Sequence, residues 1–330
     1  MTDADRRHVA GWLLACATLV FLVVVVGGVT RLTRSGLSIV EWQPLIGVLP
    51  PLSDADWQAL FAKYRETPEY RLVNRGMDLA GFQRIFWWEY LHRLLARLVG
   101  LAFLVPLLWF QFRGALERAL AWKLWGVFAL GALQGVLGWW MVKSGLVDDP
   151  KVSPVRLSAH LGLALAIFSA ELWIALGLLF PESKLRAGLA AALPFLIFAM
   201  ALSGGMVAGL RAGSAYQTFP LMHGHFVPPD FMLLEPWWRN FLYNMGTVQF
   251  VHRAFFWGLL VLVPLAWWKA GRSASATLLL GAFLLQATLG ISTLLAGVPV
   301  ALGAAHQGGA VLLLGAAIWH AHREGRTGRG

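Results

Sequence analysis

The chain has 330 residues, 58% of them hydrophobic and 13% charged, with a mean hydropathy of +0.63 and a formal net charge of +10. A soluble domain carries about 25% charged residues, so this chain lacks the polar surface to meet water on all sides and must face lipid over much of its area. Its basic residues are scattered along loop ends rather than gathered in one soluble module, which excludes a nucleic-acid-binding domain.

A spanning helix needs about 20 consecutive apolar residues. Eight runs qualify, at 10–29, 86–112, 121–142, 157–180, 187–210, 246–268, 274–296 and 299–319. The first is too long for a cleavable signal and lacks a small-residue cleavage site, so it reads as a retained first span. It contains the lone cysteine, Cys16, which leaves no disulfide possible within the chain. The longest loop, about 30–85, carries Pro50, Pro51 and a polar stretch over Ser53–Lys63 that Ser53 or Asp54 would cap as a helix. Its counterpart, about 211–245, carries Pro220, Pro228, Pro229 and the pair Trp237 and Trp238, a composition that suits anchoring at a membrane edge. Basic residues are densest in the short loops that are cytosolic if the N-terminus is inside, among them Arg113, Arg118, Lys123, Lys269 and Arg272. That density predicts cytoplasmic N- and C-termini. Arg31, Arg34 and Arg211 oppose it, lying at the outer ends of the first and fifth spans.

The two halves of the chain resemble each other. Gly27, Gly28, Arg34 and Gly36 recur as Gly204, Gly205, Arg211 and Gly213; His92 and Arg93 recur as His252 and Arg253; Gln134 and Gly138 recur as Gln286 and Gly290; His160 and Gly162 recur as His306 and Gly308. All four pairs keep their order, at offsets of 177, 160, 152 and 146. Each half therefore holds four spans. An even number gives both halves the same topology, so they would be related by an axis along the membrane normal. The expected fold is an all-α integral membrane protein of eight transmembrane helices, built as two tandem four-helix bundles with a pseudo-two-fold axis. Residues 1–182 form one half and 183–330 the other.

Of nine histidines, His8, His320 and His322 fall near the chain ends and read as solvated tail residues, while His223 and His225 sit in an outer loop. The remaining four, His92, His160, His252 and His306, fall within the first two turns of the second, fourth, sixth and eighth spans. On an eight-span topology these all run outward face to inward face, which puts four imidazoles at one depth. Ionisable groups in a span are costly and face the bundle interior. Two imidazoles from two helices of one four-helix bundle can clamp a planar heme, as axial ligands to its iron. Zinc fits less well, because a structural site takes four ligands and each half offers two. Arg93, Arg97 and Arg253 lie close to these histidines, and Arg34 and Arg211 end at the same face, where guanidinium groups can pair with heme propionates.

The repeat breaks beside the histidines. Glu89 precedes His92 by three residues, whereas Gln249 precedes His252, and residues three apart share a helix face. An ionisable group beside one site and a neutral one beside the other place chemistry in the first half and a held cofactor in the second. The plain alternative is that Glu89 pairs with Arg93 one turn on. Glu171, inside the fourth span, is a second intramembrane carboxyl, readable either as a proton-path group or as a hydrogen-bonding one.

With E-x-x-H-R opening the second span, H-R in the sixth, histidines topping the fourth and eighth, and a G-G-x-T-R-L-T-x-S-G-L-S segment after the first, the sequence resembles the heme A synthase family along nearly its whole length. The resemblance implies an oxidoreductase of the bacterial plasma membrane that oxidises the ring methyl of heme O to the formyl group of heme A, by successive hydroxylations with oxygen and loss of water, for cytochrome oxidase. It implies heme O as substrate at His92 and His160, with Arg93, Arg97 and Arg34 around it and Glu89 as the catalytic candidate. It implies a heme B cofactor at His252 and His306, with Arg253 and Arg211. Heme O synthase, an electron donor, cytochrome oxidase assembly factors, membrane lipid and a second copy of the chain are the implied partners. Some family members carry a cysteine pair in the first outer loop; this chain has none and is similar to the cysteine-free bacterial and mitochondrial-type subgroup. A diheme b-type cytochrome that only transfers electrons would explain the four histidines equally well but the Glu89/Gln249 difference less well. A transporter with parallel repeats would need polar mid-membrane helices that are absent from the pattern.

Overall fold

A computed structural model describes residues 1–41, 46–147, 150–182 and 187–327. Eight of its helices are long and apolar enough to cross a membrane. They are α1 (Asp3–Leu32), α4 (Leu79–Phe112), α5 (Arg118–Lys143), α6 (Pro154–Leu179), α7 (Leu189–Leu210), α9 (Met245–Lys269), α10 (Ala274–Leu295) and α11 (Val300–Thr327). The loop after α1 folds into α2 (Asp54–Arg65) and α3 (Pro68–Leu72), and the loop after α7 holds the short α8 (Asn240–Tyr243). Ser53 caps α2 in a reciprocal box with Asp56, as its sequence suggests.

Helix packing follows the repeat. In the first four spans α1 packs on α4 and α6, and α5 packs on α4 and α6; in the second four α7 packs on α9 and α11, and α10 packs on α9 and α11. Between the two sets α6 meets α7, α1 meets α11, and α6 meets α11. The core therefore lies along α1, α6, α7 and α11. On α1 the buried stripe Leu13, Cys16, Ala17, Val20 and Val24 recurs at helical spacing, and Leu165, Phe168, Ile197, Leu314 and Ala317 close around it.

Two expectations are corrected. His92 does not lie in the first two turns of its helix: α4 starts at Leu79, thirteen residues earlier, because its outer end is held by the loop. Phe82 and Phe86 pack there against Trp57 and Tyr64, and Asp78 caps the helix by accepting from Gly81 N at 2.7 Å. His320 and His322 are not solvated tail residues. Helix α11 runs past the expected end at 319 and leaves them 1% and 2% exposed. His320 Nδ1 lies 3.1 Å from Ser275 Oγ, and the His322 ring meets Trp173 edge-on.

Glu69, on α3, is 4% exposed. Burial pushes its carboxyl above the usual range, opposed by the charges of Arg34, Arg211 and Arg31. A raised carboxyl means that the folded chain holds a proton the unfolded chain releases, so stability falls as pH rises above the ordinary value of 4.5. Thermal unfolding of the detergent-solubilised protein should show this decline from pH 4.5 upward, and Glu69→Gln should flatten it.

Candidate functional site

Each of the four intramembrane histidines rests against one of the repeated glycines. A Cβ placed on Gly27 would stand 2.8 Å from His92 Cε1, on Gly138 3.1 Å from His160 Cε1, on Gly204 3.2 Å from His252 Cε1, and on Gly290 2.7 Å from His306 Cε1. At Gly27 and Gly290 a methyl group would force the imidazole to shift, and at Gly138 and Gly204 the ring would have to give by a few tenths of an ångström, so the repeated glycines seat the imidazole rings against helix backbone. The motif glutamines act on the same helices. Gln134 Nε2 donates to the His160 carbonyl and Gln286 Nε2 to the His306 carbonyl, each at 2.9 Å, across the turn that carries the histidine.

The rings are gathered in pairs. His92 and His160 lie within electrostatic reach of one another, as do His252 and His306. Each is enclosed by its bundle yet keeps part of its surface accessible. The Nδ1 atoms of His92, His160 and His306 are buried and have no hydrogen-bond partner among the described residues. A buried polar atom left unpaired costs about 1–3 kcal/mol, so these pairs are built for something besides packing. A flat macrocycle with its own four nitrogen ligands needs only two protein ligands, and the chain supplies two imidazoles in each half. Among the described residues no group of three or more His, Cys, Asp and Glu could hold a bare metal ion. The residues thus fit heme better than zinc.

The second glycine of each pair serves the seam between halves. Gly28 faces the Gln307 side chain of α11, and Gly205 faces Ser158 of α6. Gln307 Nε2 donates to the Val24 carbonyl at 2.8 Å. Small residues let spanning helices approach closely, and side-chain amides hydrogen-bond across them. Arg31 closes the outer end of this seam, its Nη2 donating to the carbonyls of Ala208 and Gly209, both at 3.2 Å, at the C-terminus of α7. Arg34 and Arg211, equivalent in the repeat, both adopt the left-handed conformation, at φ 56° and 54°, and both are exposed at the outer end.

Beside the first pair, Glu89 is 2% exposed and fully engaged. Its Oε2 accepts from Ser38 N (2.7 Å), Ser38 Oγ (2.7 Å) and Ile39 N (2.9 Å), and its Oε1 pairs with Arg93 Nη2 at 2.7 Å. Arg93 also donates to the carbonyls of Ile39 and Glu41. Pairing with Arg93 and placement beside His92 are therefore both present: the carboxylate closes the loop that follows α1 over the histidine pair. The second half makes the same closure without charge. Gln249 Nε2 donates to the Tyr216 carbonyl at 2.9 Å, and Arg253 donates to the carbonyls of Tyr216, Pro220 and Leu221. Arg97, half-buried, lies beside Arg93 and Tyr90. Glu171 is 1% exposed, with Oε2 unpaired among the described residues, well away from the loops on the same helix as His160.

Sequence reasoning had missed the glycine seats, Ser38 as the partner of Glu89, Arg31 as the seam's closing residue, and Ser203, whose Oγ lies 2.8 Å from His252 Nδ1. The repeat offered a signal for the glycines, since they recur in register with the histidines.

The fold and site together define a multi-pass helical membrane protein with two repeated sites, each made from a pair of neighbouring imidazoles. Residues 10–318 match the COX15-CtaA family, described as cytochrome oxidase assembly protein, and the chain belongs to that family. It is 58% identical to a heme A synthase of Nitrosospira multiformis, over 97% of this chain and 94% of that protein. It is 53% identical to a heme A synthase of Nitrosomonas eutropha, over 96% and 93% of the two chains, and 51% identical to one of Parvibaculum lavamentivorans, over 98% and 96%.

Gly290→Val should drive a methyl group into His306, whereas Gly281 on the same helix has nothing within 4 Å of its Cβ position. The Soret absorbance per mole of purified protein should fall by at least half in Gly290→Val and stay unchanged in Gly281→Val.

Proposed function

We propose that this chain is a heme A synthase that takes heme O at His92 and His160 and carries heme B at His252 and His306. The observation that carries the reading is the repeated imidazole pair on its glycine seats, with an ionisable carboxylate beside one pair and an amide beside the other, in a chain whose family relatives bear that activity in their names. The two halves, 1–182 and 183–330, are read as tandem bundles about an axis along the membrane normal, with both termini cytoplasmic in the bacterial plasma membrane; the matched helix packing and the loop charges support this.

Heme B, when bound, supplies one-electron chemistry at its iron. The rest is the work of the chain. His92 and His160 fix the substrate macrocycle so that its methyl group is presented at a constant place. Arg34 and Arg211, exposed at the outer end, are the cations available to propionates. Arg93, Arg97 and Arg253 border the sites, with Arg93 and Arg253 also tying the loops over them and excluding water.

Turning a ring methyl into a formyl group removes four electrons. Two hydroxylations give CH2OH and then CH(OH)2, which loses water to CHO. Each hydroxylation with oxygen consumes two electrons and two protons and releases one water, so an electron donor must reach the chain and protons must be moved close to the ring. Glu89 is the group placed to do this. Its Oε2 is saturated by the Ser38 and Ile39 donors, while Oε1 has only Arg93 and is the atom that can accept and return a proton. Gln249 cannot, which keeps the second site to electron transfer.

The test is expression in a host that makes heme O but no heme A, followed by extraction and chromatography of hemes. Wild type should yield heme A or its hydroxylated precursor. Glu89→Ala should lower that yield by about 100-fold or more, the scale of a lost proton-transfer group. A wild-type extract holding heme B alone would overturn the reading and leave an electron-transfer cytochrome.

A further inference from the structure

The two sites differ at a second point that no charge reveals. In the repeat, Ser203 stands where the first half has Val26, one residue before the glycine seat in each case. Ser203 Oγ donates to the Met200 carbonyl at 2.6 Å and lies 2.8 Å from His252 Nδ1. With Nε2 of His252 as the iron ligand, the ring proton sits on Nδ1 and is donated to Ser203 Oγ, whose own proton goes to the Met200 carbonyl. A second partner of this kind fixes tautomer and ring orientation and raises the ligand's basicity toward a metal. His92 has none of this. Its ring reaches the Val23 carbonyl as the His252 ring reaches that of Met200, the equivalent residue, but valine offers no hydroxyl. His160 and His306 share an Nδ1 unpaired among the described residues and a helix held by its glutamine, while Gln134 Nε2 also comes within 3.5 Å of His160 Nε2. Neither His160 nor His306 has a hydroxyl at Nδ1, so the serine distinguishes only the ligands on α4 and α9.

We propose that Ser203 is a positioning residue that makes His252 a permanent iron ligand, and that Val26 leaves His92 able to release, so that the heme of the first site exchanges while that of the second stays. This rests on the assignment of the two heme sites above. It accounts for a requirement that assignment creates: a substrate heme must enter and a product heme must leave through a site otherwise built like the one that keeps its cofactor. The first site is the one in which the imidazole on α4 can turn on its glycine seat without losing a hydroxyl partner.

Valine and threonine have the same shape and differ by the hydroxyl, so Ser203→Val and Ser203→Thr form the test pair, with Val26→Ser as the reciprocal. The full-length proteins are purified with bound heme. Two quantities are read: the rate of heme transfer to excess apomyoglobin, and the reduction midpoint of the slowly released heme. In Ser203→Val that heme should leave about tenfold faster, in line with the loss of a histidine's outer partner, and its midpoint should rise because the ligand donates less to ferric iron. Ser203→Thr should restore both to within about twofold. Val26→Ser should slow release of the other, fast-exchanging heme by several fold, and this readout stands alone where Ser203→Val does not accumulate. Unchanged release in Ser203→Val, a Ser203→Thr that behaves like Ser203→Val, or unchanged release in Val26→Ser would overturn the proposal. His252→Ala separates the two levels: if it keeps the slow heme, the site assignment itself fails, whereas if it loses that heme the assignment stands and only the serine's role is at issue.

Discussion

An imidazole packed with its Cε1 against helix backbone is the contact on which the rest of this molecule depends. Four such contacts occur, and each needs a residue without a side chain on the neighbouring helix, at the depth of the histidine. Gly27 and Gly204 supply it from α1 and α7, Gly138 and Gly290 from α5 and α10. The requirement fixes which helices are neighbours, since α1 must touch α4 and α5 must touch α6, with the same arrangement in the second set. It also fixes how close they come. The adjacent glycines, Gly28 and Gly205, turn the opposite face of α1 and α7 to the other half, so one dipeptide sets both the site and the seam. Close approach of this kind is how spanning helices associate when lipid removes the hydrophobic drive between them.

Above the rings, both halves close a loop by the same geometry with different chemistry. Arg93 and Arg253 each donate to the carbonyl of the residue equivalent in the repeat, Ile39 and Tyr216. In the first half this lock includes a carboxylate that the backbone of Ser38 and Ile39 satisfies; in the second it includes an amide. The lock alone would not need a charge, as Gln249 demonstrates. The carboxyl group of Glu89 is therefore what distinguishes the first site, and it is the ground for proposing proton chemistry there. The hydroxyl of Ser203 distinguishes the second.

Much of this was legible in the sequence because two independent periodicities agree. Apolar runs of spanning length gave eight helices, five of them with both bounds within three residues of those observed; α1, α4 and α11 each run further at one end. The recurrence of Gly27, His92, Gln134 and His160 as Gly204, His252, Gln286 and His306 gave the pairing. What was not legible depends on contacts between distant segments. The outward extension of α4 to Leu79 comes from Phe82 and Phe86 packing on Trp57 and Tyr64, whose aromatic cluster has no helical period of its own. The burial of His320 and His322 follows from α11 continuing beyond its apolar run, where polar residues find Ser275 and Trp173 instead of water. Ser38 reads as one more loop serine until the fold brings it to Glu89, fifty-one residues away.

The central claim is that the four histidines form two separate heme sites, one per half. It is tested most directly by counting hemes per chain, by extraction and chromatography, in His92→Ala, His160→Ala, His252→Ala and His306→Ala purified from cells that supply both heme O and heme B. The first two variants should lose heme O or its oxidation products and keep heme B, and the last two should lose heme B. Loss of both hemes in every variant, or a heme B that survives His252→Ala and His306→Ala but not His92→Ala, would contradict the assignment.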